Sequence, residues 1–184
     1  MKADSLALPE VVLIEPGVFS DDRGHFFESF SQRAFTEATG VDLTFVQDNQ
    51  SRSRPWVLRG IHYQLNPYAQ GKLVRVVRGA AYDVAVDLRR SSATFGQSVA
   101  VELSETNRRQ LWVPPGFGHA FLALADGADV LYKTTEYYSP QSDRSIRWDD
   151  TDIGIEWPLT RTPLLSDKDR AAPGLNEAEV FTEG

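Results

Sequence analysis

The chain has 184 residues, no cysteine, 41% hydrophobic residues and a formal charge of −7, which excludes a disulfide framework, a thiolate zinc site and a cysteine nucleophile and leaves enough apolar material for one core over residues 1–184. A domain this acidic does not read as a nucleic-acid binder. The opening "MKADSLALPEVVLIEPG" is interrupted by Pro9, Glu10, Glu15 and Pro16, unlike the apolar core of a signal peptide, and no stretch approaches the ~20 apolar residues of a membrane span, so a cytoplasmic protein without membrane contact is expected.

In chain order, "VVLIEPG" reads as a strand closed by a turn. "SQRAFTEATG" reads as a helix, with Ser31 as N-cap, Phe35 and Ala38 on one side and Gly40 as the stop. "LTFVQDN", "KLVRVVRG", "AYDVAVDL", "QSVAVELS", "QLWVPPG" and "HAFLALADGADVLYKTTEYY" are short β-rich runs between turn signals. Period-two alternation is clearest where Val99, Val101 and Leu103 share one face and Ala100 and Glu102 the other. After Trp157 the tail shows little periodicity and is expected to wrap the body as loops and short turns. Many short strands with Gly and Pro turns predict an all-β jelly-roll barrel with one short helix rather than a parallel sheet with crossover helices. Exposed edge strands are commonly buried against a second subunit, which predicts a homodimer.

Between Asn49 and Tyr82 stand Arg52, Arg54, Arg59, Lys72, Arg75 and Arg78 and no acidic residue. A cationic segment on an acidic chain predicts a site for a small anionic ligand. No Walker loop, dinucleotide fingerprint or GxSxG elbow is present. His25, His62 and His119 are far apart and position 64 is Gln, so the paired-histidine spacing of a metal-dependent barrel is missing and metal-free acid–base chemistry without a cofactor is expected. A lone histidine is commonly a hydrogen-bonded core residue; His62, beside Arg59, reads as a general base if a carboxylate holds its other nitrogen. Lys72 begins a run in which Lys72, Val74, Val76 and Arg78 alternate, and if that face is internal its ammonium stabilises an oxyanion. Tyr132 and Tyr138 share a face if their strand is unbroken, roughly 20 Å apart, one donating a proton inside and the other stacking on a ligand's aromatic end. Arg23 and Arg59 suit phosphate oxygens. Strict alternation places Arg59 and His62 on opposite faces, so both reach one pocket only if Gly60 marks a bulge.

Taken together, "DDRGHFFES", "FVQDNQSRS", "VLRGIHYQ", "GKLVRVVRGAAYDVAVDLRRSSATFGQ", "LWVPPGFGHAF", "LYKTTEYYSP", "IRWDDTDIGIEWP" and "LLSDKD" resemble the dTDP-4-dehydrorhamnose 3,5-epimerases, in order from about Pro9 to Asp169. The resemblance implies a cupin-type double-stranded β-helix, a homodimer, no metal and a place in the route to dTDP-L-rhamnose. It implies that His62 is the base, Asp169 its orienting carboxylate, Lys72 the enolate stabiliser and Tyr132 the proton donor. It further implies that Arg23, Phe26, Glu28, Gln47, Asn49, Arg59, His119, Asp143 and Lys168 bind the dTDP-4-keto-6-deoxy sugar, that Tyr138 stacks on thymine, and that Arg23 reaches across from the partner subunit. Three departures from the family pattern stand out: Trp56 before the base segment, "PPGFGHAF" around His119, and Asp143 where Glu is expected. A single-carbon epimerase, a ketoisomerase of the same fold and a non-catalytic sugar-nucleotide-binding module remain as rivals.

Overall fold

The computed structural model describes residues 1–182; Glu183 and Gly184, the end of the expected domain, lie outside the described residues. The elements are β1 (Lys2–Ser5), β2 (Val12–Glu15), β3 (Phe19–Asp21), β4 (Gly24–Phe26), α1 (Gln32–Thr39), β5 (Gln47–Ser53), β6 (Leu58–Gln64), β7 (Lys72–Asp87), β8 (Ser98–Ser104), β9 (Gln110–Val113), β10 (Phe117–Thr134), β11 (Asp143–Ser145) and α2 (Asp167–Arg170). The main sheet runs β1-β2-β9-β7-β10-β6-β11, with β8 also on β7 and β5 also on β10.

The architecture follows from two long central strands that change partners along their length. β7 and β10 pair with each other from Lys72↔Thr134 to Asp87↔Phe117. On its other edge β7 holds β9 through Lys72–Arg75 and β8 through Ala80–Val86. β10 likewise holds β6 in its first half and β5 in its second. The switch occurs at register shifts between Ala123 and Ala128 and between Asp129 and Val130, where extra residues bend and twist the strands. Gly79 (φ +73°) and Gly127 (φ +77°) sit at this corner, and a Cβ on Gly79 would lie 2.0 Å from the Gly127 carbonyl oxygen. The result is the double-stranded β-helix of the cupin type. The barrel expected from the strand pattern is not closed: β1 and β11 end the sheet without pairing to each other, because partner switching curls the sheet into two facing halves.

Alternation along β7 and β10 divides the core. Val74, Val76, Ala81, Ala85, Phe117, Phe121 and Val130 pack on one face, and Val84, Val86, Ala120 and Ile61 pack on the other beneath tail residues Ile153, Leu175, Val180 and Phe181. A third cluster seats Phe35 of α1 on Trp112, Val12, Ile14 and Leu73. The helix ends where local rules predict, with Ser31 Oγ accepting from the Ala34 amide at 3.4 Å and Gly40 left-handed at φ 72°.

Two features depart from the sequence expectation. β5 begins at Gln47, so "LTFV" precedes the strand, and its burial alternates on polar residues. Arg78 leaves the face of Lys72, Val74 and Val76, because Val130 pairs with Val76 and Asp129 with Arg78, with Val77 as the extra residue of a bulge.

Candidate active site

His62 lies on β6, directly opposite His119 of β10. Between them the pairing slips: Arg59 opposes Phe121, so Gly60 and Ile61 together face Ala120. This is the bulge the alternation of "VLRGIHYQ" required, and it returns Arg59 to the side of His62. Gly60 has φ +120°, and a Cβ there would fall 2.6 Å from both Ala120 Cβ and the His119 carbonyl oxygen. Only glycine meets both constraints.

The tail supplies the partner of His62. Leu164 exchanges backbone hydrogen bonds with Leu58 and Trp56 at 3.0 and 2.8 Å, which pins the tail across the start of β6. α2 follows at once, with Ser166 as its cap. Asp169 on α2 is 3% exposed and its Oδ1 lies 2.6 Å from His62 Nε2. Its Oδ2 accepts from Ser166 Oγ at 2.7 Å. Burial pushes this carboxyl upward, yet the bonds from His62 and Ser166, and a further one from the Gly60 amide, hold it below the ordinary aspartate range. An ionised carboxylate can only accept, so Nε2 carries the proton and Nδ1 is the basic nitrogen.

Lys72, on the neighbouring inner face, is 8% exposed and donates from Nζ to the His62 carbonyl oxygen at 3.2 Å. Burial lowers its pKa to about 8, while the carboxylates of Asp143 and Asp83 oppose the shift and Lys168 adds to it. Tyr132, paired with Asn49 on β5, is pushed above the usual phenol value by burial, with the Arg59 charge opposing. At neutral pH it is a protonated donor.

His62, Lys72 and Tyr132 line one cavity of about 320 Å³ together with Gln47, Asn49, Tyr138, Asp143 and Lys168. Tyr132 and Tyr138 meet there because β10 ends at Thr134; the strand is broken between them, so the separation expected for an unbroken strand does not apply. Asp143 joins the mouth residues, accepting from Lys168 Nζ and, at 3.3 Å, from the Tyr138 hydroxyl. A larger groove of about 550 Å³ shares Asn49 and Tyr132 but opens on Ser29, Phe30, Leu73 and Arg75. It contains no histidine, whereas the smaller cavity contains His62.

Other expected residues stand apart from this lining. Arg59 is held by Ser53 Oγ at 3.1 Å. His119, 7% exposed, has Nε2 at 2.9 and 3.1 Å from the two oxygens of Asp83. Arg23 and Phe26 lie on the β3–β4 hairpin and Glu28 just after it, all exposed and away from the cavity of their own chain. Among the described residues no group of three or more His, Cys, Asp or Glu is placed to hold a metal ion. Asp83, fully buried, was not singled out from the sequence. The signal was an acid in phase with Ala81 and Ala85 on an inner strand face. Ser166 escaped as well, being a cap of a helix only four residues long.

The family model described as dTDP-4-dehydrorhamnose 3,5-epimerase matches residues 5–177. The Pseudomonas aeruginosa dTDP-4-dehydrorhamnose 3,5-epimerase is 55% identical, covering 98% of this chain and 99% of its own length. That of Salmonella typhimurium is 56% identical and covers 96% of each. The crystal structure of the Legionella pneumophila dTDP-6-deoxy-D-glucose-3,5-epimerase RmlC in complex with dTDP-4-keto-L-rhamnose superimposes with a TM-score of 0.96 at 45% identity, covering 100% of this chain and 98% of that one.

Proposed function

The chain belongs to the dTDP-4-dehydrorhamnose 3,5-epimerase family, and from that premise we infer how its cavity performs the reaction. The protein is a carbohydrate isomerase that inverts carbons 3 and 5 of dTDP-4-dehydro-6-deoxy-D-glucose to give dTDP-4-dehydro-L-rhamnose, a step toward dTDP-L-rhamnose. The ketone at carbon 4 acidifies the C–H bonds on either side. In our reading His62 Nδ1 removes one such proton, and the electron pair of that bond moves to the keto oxygen as an enolate. Asp169, at 2.6 Å, sets the tautomer and supports the imidazolium. Lys72 faces the enolate oxygen, where charge exists only after the proton has left, so its attraction is greatest near the transition state. Tyr132 delivers its phenolic proton to the opposite face of the carbon. Exchange with solvent restores neutral His62 and Tyr132, and the cycle repeats at the other carbon.

For binding, Gln47, Asn49, Arg59, His119, Asp143 and Lys168 hold the sugar nucleotide, and Tyr138, 58% exposed at the mouth, stacks on thymine. Arg23, Phe26 and Glu28 act in the cavity of a second copy, in a cytoplasmic homodimer whose residues 1–184 work as one domain. This is supported by the β3–β4 hairpin, which among the described residues pairs with no other strand and leaves Phe19 71% and Phe26 70% exposed. Among the described residues no helix is long and apolar enough to cross a membrane.

The observation that carries the mechanism is the His62–Asp169 pair opening into the cavity that also contains Lys72 and Tyr132. The test is turnover in heavy water followed by mass spectrometry of the sugar. Deuterium at both carbon 3 and carbon 5 is expected. Label at one carbon alone means single-site epimerisation, a 3-keto product means ketoisomerisation, and no label removes the catalytic assignment.

A further inference from the structure

Gln64 is 3% exposed and lies on β6 two residues beyond His62, where alternation turns it into the same cavity. Its amide is engaged at both ends. Nε2 donates to the Tyr68 carbonyl oxygen at 2.7 Å and to the Tyr137 carbonyl oxygen at 3.1 Å, and Oε1 accepts from the Ser139 amide at 2.9 Å. Two of these three groups are the backbone immediately before and after Tyr138. The amide orientation is dictated by its partners, since two carbonyls demand the NH2 end and an N–H demands the oxygen.

Tyr138 itself is exposed and lies beyond the end of β10, in the connection to β11. An aromatic ring on a free loop loses conformational entropy when it stacks, and a ring already tethered loses less. We propose that Gln64 is the positioning residue for Tyr138: it clamps the backbone on both sides of that ring and thereby sets the affinity for the nucleoside end of the ligand. Gln47 assists, its Oε1 accepting from the Tyr138 amide at 3.2 Å. The proposal rests on the stacking of Tyr138 on thymine and adds the element that holds the ring in readiness. It also explains why the buried strand that carries the base continues into a polar residue: the amide couples the rigid sheet to the loop at the mouth.

The test uses Gln64→Glu, nearly isosteric, whose carboxylate still accepts from Ser139 but presents oxygen to two carbonyl oxygens. Titration calorimetry with dTDP and with inorganic pyrophosphate separates the nucleoside from the diphosphate. A loss of dTDP affinity of about tenfold is expected, the size of a broken hydrogen-bond tether, with pyrophosphate affinity changing much less and KM for the dTDP-keto sugar rising more than kcat falls. Lowering the pH to protonate the new carboxyl restores a donor, so dTDP affinity recovers relative to pyrophosphate. Should Gln64→Glu fail to fold, Ser139→Pro removes the donor to Oε1 from the loop side and is expected to show the same selective loss. The stacking reading is checked separately with Tyr138→Ala. If that variant binds dTDP as the parent does, stacking fails and the tether falls with it. If it loses affinity while the foldable tether variant does not, or if the tether variant loses pyrophosphate and dTDP equally, the positioning role alone is overturned.

Discussion

In the proposed mechanism Lys72 sets activity against stability within one residue. Burial holds its pKa near 8 against an ordinary 10.5, so the folded state binds the proton less tightly than the unfolded chain does. Linkage then gives the sign: the charged residue destabilises the fold in full below about pH 8, the penalty shrinks as pH rises toward 10.5, and it vanishes above that value. Lys72→Met is expected to raise thermal stability at pH 7, by up to about 3 kcal/mol, while lowering kcat by roughly a hundredfold or more through loss of the oxyanion partner. The stability gain shrinks when melting is repeated at pH 10. A lower melting temperature for the variant at pH 7 would show that the bond to the His62 carbonyl outweighs the burial penalty. If Lys72 stabilises the enolate, kcat of the parent enzyme is expected to decline as pH rises past about 8, where Lys72 loses its charge, a decline that a pH–rate profile checks. Strand alternation in the sequence left Lys72 free to face inward or outward, and burial in the folded sheet places it inward. Asp83 shares the phase of Ala81 and Ala85, but which face of "AYDVAVD" is internal is fixed only when the partner strands are known.

At the scale of elements, the bulge in β6 is the feature on which the site depends. It is what puts Arg59 and His62 on the same side of the sheet, and Gly60 is the residue that permits it. Gly60→Ala is expected to destabilise the protein by roughly 2 kcal/mol or more, from a positive φ combined with contacts at 2.6 Å that include backbone. Gly17→Ala, with nothing within 4 Å of the added carbon, serves as the neutral control in urea denaturation. Activity per folded molecule should fall in the first variant, because Arg59 and His62 are displaced together; equal stability of the two variants would contradict the bulge assignment. Helix α1 was legible because its signals, Ser31 and Gly40, are local to the segment they end. Helix α2 was not: four residues present no period, and its reason for existing is a hydrogen bond to a distant strand.

For the molecule as a whole, the exposed hairpin supports the proposal that a second copy completes the site. Among the described residues Arg23 pairs with Asp21 of its own turn, and its side chain is 90% exposed. If Arg23 acts in trans, Arg23→Ala and His62→Ala, each nearly inactive alone, complement each other when unfolded together and refolded as a mixture. Half of randomly formed dimers are then mixed, each with one intact site, so about a quarter of the parent activity is expected. Activity that stays at the level of the separate variants would place Arg23 in cis or outside the reaction.

The sequence by itself determined the chemical inventory and the local elements: a histidine among cations, an alternating lysine, two tyrosines, no thiol, one capped helix and many short strands. These are legible because caps, turns and period two act over a few residues. The tertiary structure alone decided convergence. His62 and Asp169 are 107 residues apart, and their meeting depends on a tail pinned to β6. Whether the sheet closes and where β7 leaves its alternation are settled by register and burial summed over the whole sheet, and no short window of sequence contains that sum.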